Sequence, residues 1–102
     1  MLAEGKPKVL PGTIQGDRNK TYVLSARAGQ RLLITLRTNN RSNYMNVTTP
    51  GAEAATFVGP IQGGRYEIVV SATGDYVIDV YLMRNAARRH EKASYTLSVA
   101  QH

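Results

Sequence analysis

The strict alternation of apolar and polar residues is the sequence feature that most constrains the fold of this chain. In residues 31–37, Leu32, Ile34 and Leu36 fall on one face of an extended strand, and mostly polar residues fall on the other. The same period of two recurs in residues 22–27, 65–70, 76–83 and 94–99. Such a pattern predicts antiparallel strands with one buried face and one face in contact with water.

Weaker strand candidates and turn signals complete the pattern. Residues 44–47 and 54–58 are further short strand candidates, and glycine and proline mark turns at residues 50–51, 59–60 and 63–64. About seven or eight short strands separated by turns predict an all-β fold, an antiparallel β-sandwich. We expect a single domain over residues 12–100, preceded by a tether or edge segment at residues 1–11.

The composition excludes several classes of function. The chain has 102 residues, enough for one domain with a real core, and no cysteine, which rules out thiol catalysis and thiolate metal sites. No apolar run approaches the ~18 residues that span a bilayer. The sequence contains no paired-carboxylate, His-x-x-x-His or glycine-rich phosphate-loop motif. We therefore predict no catalytic residue, no metal site, no cofactor and no enzymatic activity.

The charge points to an acidic partner. The formal net charge is +6, and arginine supplies nine of the thirteen cationic residues. Arginine suits the planar, bidentate recognition of carboxylate or phosphate. An acidic protein cleft, an anionic membrane surface and nucleic acid all fit this charge. The absence of an RNP aromatic pattern and of a recognition helix disfavours nucleic acid.

An arginine-rich insertion at residues 84–90 lies between the last two predicted strands. A hairpin needs two to five loop residues, and this loop has about twice that number. We expect a short helical turn in residues 86–92. If the whole insertion is helical, Arg84 and Arg88 share one face. A binding role is favoured over two alternatives: a solvated loop that aids solubility, or an internal staple that pairs Arg84 with Asp79 or Glu91.

The six tyrosines fall into two groups. Tyr66, Tyr76 and Tyr95 alternate with apolar residues, which favours core packing. Tyr81 and Tyr44 are expected to face outward near the ends of their strands, where a tyrosine can anchor a partner.

The strands resemble, end to end, the bacterial pre-peptidase C-terminal domain superfamily. The residues that carry this resemblance are Gly29-Gln30 with Leu32-x-Ile34-x-Leu36, Gly74-Asp75-Tyr76-x-Ile78-x-Val80 and Tyr95-x-Leu97-x-Val99. The resemblance implies a small sandwich of jelly-roll type. It also gives an alternative function, a module that binds polysaccharide or other cell-surface material.

A narrower resemblance covers most of the chain from about Gly12. The stretch Gly12-Thr13-Ile14-Gln15-Gly16, the Gly74-Asp75-Tyr76 strand and the run Arg84-Asn85-Ala86-Ala87-Arg88 are similar to the periplasmic inhibitors of g-type (goose-type) lysozyme. That family implies a lysozyme with an acidic cleft as the partner and insertion of loops into this cleft.

The resemblance also implies roles for particular residues. Arg84 and Arg88 would face the acidic residues of the cleft, Arg89 and His90 would add contacts at its rim, and Tyr22 or Tyr44 would support them. A periplasmic or secreted location is implied as well. Residues 1–5 lack the apolar core of a signal peptide, so the residues alone are compatible with a cytosolic protein or with one whose signal peptide has been removed.

Overall fold

Eight antiparallel strands form two four-stranded sheets in the computed structural model, which describes residues 8–52, 57–58 and 64–101. The strands are β1 (Lys8–Gln15), β2 (Lys20–Ala26), β3 (Arg31–Thr38), β4 (Asn43–Thr48), β5 (Phe57–Val58), β6 (Arg65–Val69), β7 (Gly74–Leu82) and β8 (Lys92–Gln101). One five-residue helix, α1 (Arg84–Arg88), lies between β7 and β8. The predicted all-β sandwich is confirmed. Of the weak strand candidate at residues 54–58, residues 54–56 lie outside the described part of the chain.

The two sheets have matching strand orders. Sheet A runs β1-β8-β3-β6, and sheet B runs β2-β7-β4-β5. The longest strands, β7 and β8, occupy central positions, each hydrogen-bonded to a neighbour on both sides. Within the described residues, only β4 and β5 are consecutive strands of one sheet. Every other connection between consecutive strands passes from one sheet to the other.

One consequence corrects the sequence-based prediction. We expected the arginine-rich segment to close a hairpin between the last two strands, but β7 and β8 do not pair with each other. The segment crosses from sheet B to sheet A, and this crossing explains why it exceeds the length of a hairpin loop. Alternation reveals which residues are buried, but it carries no information about which strand lies beside which.

The core lies between the sheets and is built from the alternating residues. In β3 the buried positions are Leu32 and Ile34, and in β7 they are Tyr76, Ile78 and Val80. The predicted core tyrosines are confirmed as buried. The remaining buried apolar side chains are Ile14, Ala26, Met45, Val47, Tyr66, Val70, Leu82, Ala86, Ala93, Tyr95, Leu97 and Val99.

Strand β1 extends further toward the amino terminus than the expected start of the domain. It pairs with β8 from Lys8, which aligns with Val99, to Gln15, which aligns with Lys92. Residues 8–11 therefore lie at the edge of sheet A. Pro11 is compatible with this edge position, because a strand with one free side does not need every N–H in its ladder.

A tyrosine pair closes the side of the sandwich where β1 and β2 form the two sheet edges. The Oη atoms of Tyr22 in sheet B and Tyr95 in sheet A lie 2.7 Å apart. Tyr95 reaches Tyr22 across Gly12, its register partner in β1. A methyl group at Gly12 would overlap the Tyr95 hydroxyl and ring. Burial, followed by the hydrogen bond to Tyr22, raises the pKa of Tyr95, so the phenol stays protonated.

Replacing Gly12 with alanine should lower the free energy of unfolding by about 2 kcal/mol, the usual range for inserting an atom into a packed site. The cause is the overlap with Tyr95, which would have to give up its hydrogen bond to Tyr22. Urea denaturation of both proteins measures the loss. In a Tyr95→Leu background the same change should cost much less, because no ring crosses Gly12. An equal cost in both backgrounds would show that backbone conformation, not the ring, requires glycine.

Candidate functional site

The basic connections of the chain meet at one end of the sandwich. Because consecutive strands alternate in direction, the β1–β2, β3–β4 and β7–β8 connections all lie at the same end, which we call the α1 end and define as residues 16–20, 39–42 and 83–92. This end holds seven of the thirteen cationic residues of the chain but only two acidic ones, Asp17 and Glu91. The seven cationic residues are Arg18, Lys20, Arg41, Arg84, Arg88, Arg89 and Lys92.

Helix α1 is attached to the core by two small residues. Ala86 is fully buried and Ala87 packs against the core, while Arg84, Asn85 and Arg88 are exposed. A larger side chain at position 86 would push the helix outward. The two alanines therefore hold α1 close to the sheets and turn its arginines to solvent.

The arginines of α1 lie on one side of the helix, as the i, i+4 spacing predicts. Four residues advance about 6 Å along a helix, so Arg84 and Arg88 are neighbours on its surface. Neither forms an ion pair within the described part of the chain. Both guanidinium groups are thus available to an acidic partner.

The helix begins and ends earlier than predicted. We expected helical residues at 86–92, but the helix covers Arg84–Arg88, and Lys92 already belongs to β8. The end is a Schellman motif: the His90 N–H donates to the Ala87 carbonyl at 3.0 Å, and the Glu91 N–H donates to the Ala86 carbonyl at 3.1 Å. His90 occupies the left-handed position of this motif, with φ 55°. Glycine usually fills that position, so a histidine there is not recognisable in the sequence as the end of a helix.

Backbone hydrogen bonds tie both ends of α1 to the neighbouring connections. The Met83 N–H donates to the Ser42 carbonyl at 2.8 Å, and the Gly16 N–H donates to the Glu91 carbonyl at 3.0 Å. In addition, Gln15 Nε2 donates to the His90 carbonyl at 3.2 Å. The helix is therefore held between the β3–β4 and β1–β2 connections.

Asn40 links the β3–β4 connection to the segment after α1. Its Nδ2 donates to Glu91 Oε1 at 3.0 Å and lies 3.3 Å from the Lys92 carbonyl, and its Oδ1 accepts the Ser42 N–H at 2.8 Å. Arg89 Nε donates to the other oxygen of Glu91 at 2.7 Å. The hydrogen bond from Asn40, then the contact with Arg89, lower the pKa of Glu91.

This network bears on one of the earlier alternatives, the internal staple. An internal staple exists, but it joins Arg89 to Glu91, whereas Arg84 pairs with neither Asp79 nor Glu91 in the described structure. Asp79 instead accepts a hydrogen bond from Thr21 Oγ1 at 2.6 Å. The guanidinium of Arg89 is therefore partly engaged in stabilising the loop through Glu91, whereas those of Arg84 and Arg88 form no such contact among the described residues.

The two predicted tyrosines belong to sheet B and not to α1. Tyr22 is half-buried in β2 and is engaged with Tyr95, so its hydroxyl belongs to the closed side of the sandwich. Tyr44 lies on the outer face of sheet B beside Tyr81, its register partner, at the strand ends next to α1. The structure brings Arg84, Arg88, Arg89 and His90 together and places the two tyrosines on separate surfaces. Their role in binding stays a prediction.

A basic groove beside α1 was not predicted. It has a volume of about 320 Å³. Its lining carries three cationic side chains and no carboxylate: Thr13, Ile14, Gln15, Arg18, Asn19, Lys20 and Lys92. The groove extends the positive surface from the helix onto the β1–β2 connection. The sequence could have indicated this groove. Successive strands alternate in direction, so the β1–β2 and β7–β8 connections, both rich in cationic residues, are expected at the same end of the sandwich.

The described residues contain neither a candidate metal cluster nor a membrane-spanning helix. No group of three or more His, Asp or Glu side chains among them is placed to hold a metal ion. No helix in the same residues is long and apolar enough to cross a bilayer. The chemistry available at the α1 end is that of guanidinium, ammonium and amide donors, which suits the recognition of carboxylates.

The fold and the α1 end define a small, cysteine-free β-sandwich that presents a basic inter-sheet helix. No protein-family model and no curated protein sequence matches the chain. Solved structures do. Aeromonas hydrophila PliG, a periplasmic lysozyme inhibitor of g-type lysozyme, matches with 28% identity and a TM-score of 0.79 over 100% of this chain and 91% of that one.

Two other PliG structures show the same fold. The Salmonella Typhimurium protein is 22% identical with a TM-score of 0.71, and an Escherichia coli PliG mutant is 20% identical with a TM-score of 0.71. Both cover 100% of this chain, which in turn covers 92% and 93% of theirs. The chain shares the fold of the PliG proteins along its whole length, and the resemblance noted from its sequence is confirmed.

The Glu91 network should make stability fall at acidic pH. A glutamate whose pKa is lowered in the folded state stabilises the fold above the ordinary glutamate pKa, and this contribution is lost as the pH falls through the folded-state pKa. Thermal midpoints measured from neutral to acidic pH should show a steeper loss for the native protein than for Glu91→Gln. Glu67→Gln, which removes an exposed carboxylate on β6, should keep the native loss. Identical curves for all three proteins would show that the network adds no stability.

Replacing His90 with glycine should preserve or raise stability. A non-glycine residue at positive φ destabilises the folded state by roughly 1 kcal/mol, and glycine avoids this strain. Glycine also raises the conformational entropy of the unfolded chain, which offsets part of the gain. His90→Ala is the matched control, since it also loses the imidazole but keeps the Cβ atom. We expect the glycine variant to exceed the alanine variant by about 1 kcal/mol in urea denaturation. A glycine variant less stable than the alanine variant would contradict this account.

Proposed function

We propose that this chain is an inhibitor of g-type lysozyme that binds the acidic cleft of the enzyme through its α1 end. The observation that carries the proposal is the full-length match to A. hydrophila PliG, a periplasmic inhibitor of that class of enzyme. The proposal includes a periplasmic location, as stated for that relative. It also holds that the chain acts by binding and performs no catalysis of its own.

The geometry of the α1 end supports this function. Arg84 and Arg88 form an exposed pair, and the described structure offers them no internal carboxylate. A charge-assisted hydrogen bond contributes roughly 1.5–3 kcal/mol when water is excluded. Two guanidinium groups on one ridge can therefore supply much of the affinity for an acidic cleft.

The other cationic groups have supporting roles. Arg89 is held by Glu91, and His90 is exposed at the end of the helix, so both lie at the rim of the pair. The groove with Arg18, Lys20 and Lys92 extends the positive field. Such a field speeds association with an acidic partner and loses its effect as salt is added. Tyr44, beside the start of α1, remains a proposed contact, and Tyr22 requires its hydroxyl to leave Tyr95 before it can contribute.

Replacing both Arg84 and Arg88 with alanine should abolish inhibition. Loss of two charge-assisted contacts corresponds to roughly a hundredfold or greater loss of affinity. The assay follows the clearing of a cell-wall suspension by g-type lysozyme with and without the protein. Stability should stay within about 1 kcal/mol of the native value, because both side chains are exposed.

The Arg27→Ala/Arg31→Ala variant is the matched control. It removes the same charge from exposed positions at the other end of the sandwich and should change only the salt-dependent association rate. Equal losses in both double variants would mean that net charge, not the α1 pair, drives binding. Native protein that leaves g-type lysozyme fully active would exclude the proposed function itself.

A further inference from the structure

The outer face of sheet B differs in charge from the rest of the protein. Its outward residues alternate with the buried ones and, in the described strands, comprise Thr21, Val23 and Ser25 of β2, Tyr44, Asn46 and Thr48 of β4, and Asp75, Val77, Asp79 and Tyr81 of β7. None of them is cationic and two are acidic, in a chain of net charge +6. This face therefore lacks the cationic groups with which the α1 end attracts acidic partners.

Two tyrosines lie side by side on this face. Tyr44 of β4 and Tyr81 of β7 are register partners, which places their Cβ atoms about 5 Å apart. Both side chains are partly exposed. Adjacent phenol rings on a flat sheet form an apolar platform with polar tips.

Polar groups with fixed orientations adjoin the two rings. Tyr81 Oη donates to Asn46 Oδ1 at 3.0 Å, which fixes the amide of Asn46. Asp79 is the register partner of Asn46, and one of its oxygens accepts the Thr21 hydroxyl at 2.6 Å. The other oxygen, Oδ2, has no hydrogen-bond partner among the described residues. An oriented carboxylate with a free oxygen is a strong acceptor for a hydroxyl.

We propose that the outer face of sheet B binds a neutral glycan. The tyrosine rings would pack against the apolar C–H face of a sugar ring, and the Asp79 carboxylate would accept a hydrogen bond from a sugar hydroxyl. The two carboxylates and the lack of cationic groups on this face disfavour an anionic polymer, and the polar groups match a ligand rich in hydroxyls rather than an apolar one. The surface lies on a sheet face, not at the α1 end, so the inference does not depend on lysozyme inhibition.

The test is an NMR titration of the labelled protein with an uncharged N-acetylglucosamine tetramer at millimolar concentration, the range expected for a shallow site. Saturable shifts should appear in the amides of β4 and β7. Heparin, an anionic polysaccharide, should instead shift the amides of the α1 end. The proposal is overturned if the neutral sugar causes no saturable shift, or if its shifts map to the α1 end or to sheet A.

Matched variants locate the contact. Asp79→Asn keeps an acceptor for Thr21 but removes the carboxylate charge, and it should weaken sugar binding at least about tenfold. Glu67→Gln, which removes an exposed carboxylate from sheet A, should leave it unchanged, and both variants should still inhibit lysozyme as the native protein does. Equal sugar affinity in the native protein and Asp79→Asn would overturn the proposal. So would shifts that follow protein concentration instead of sugar, since they would assign this acidic face to a second copy of the chain.

Discussion

The central strands of the two sheets are consecutive in the chain, and the rest of the structure depends on how the chain passes between them. β7 in sheet B and β8 in sheet A each contribute four buried apolar side chains, more than any other described strand. The connection must therefore cross the full depth of the core at one end. It does so with a single helical turn whose innermost residue, Ala86, is completely buried. The helix covers this end of the core, and its arginines lie on the solvent side of the helix.

A helix of five residues cannot be stable alone, because its few hydrogen bonds do not offset the conformational entropy lost in forming the first turn. Here the stability comes from tertiary anchors. The Ser42 carbonyl binds the N–H of Met83 before the helix, and Gly16, Gln15 and Asn40 bind the segment after it. The conformation of α1 is thus fixed by two other connections, and changes in either of them should reach the arginines.

The sequence predicted the burial of individual residues better than it predicted their neighbours. Alternation identified the buried positions of β3, β7 and β8, because each residue's face depends only on its parity within the strand. It could not identify pairing, since β7 and β8 look like a hairpin but belong to different sheets. The end of α1 was also missed, because His90 occupies a position where glycine would have given a readable stop signal.

The candidate site was predicted in part for the same reason. The i, i+4 spacing of Arg84 and Arg88 is local, so it could be read directly from the chain. The roles of Asn40 and Glu91 depend on a contact between residues 51 positions apart, which no local pattern encodes. The asparagine-rich loop at residues 39–43 signals a structured turn, but not the partner of that turn.

The anchoring of α1 has a direct consequence for binding. A flexible arginine loop would lose conformational entropy when it entered a cleft, at roughly 1–2 kcal/mol for each residue ordered. In this protein the loop backbone is already ordered by its bonds to Ser42, Gly16 and Gln15, so mainly the exposed side chains of Arg84 and Arg88 remain to be fixed. The intramolecular pair of Arg89 and Glu91 works in the same direction. Because Arg89 is paired with Glu91, its guanidinium is less available to a partner. The same pair orders the segment that positions Arg84 and Arg88, so the protein gains affinity from preorganisation and not from an additional free charge.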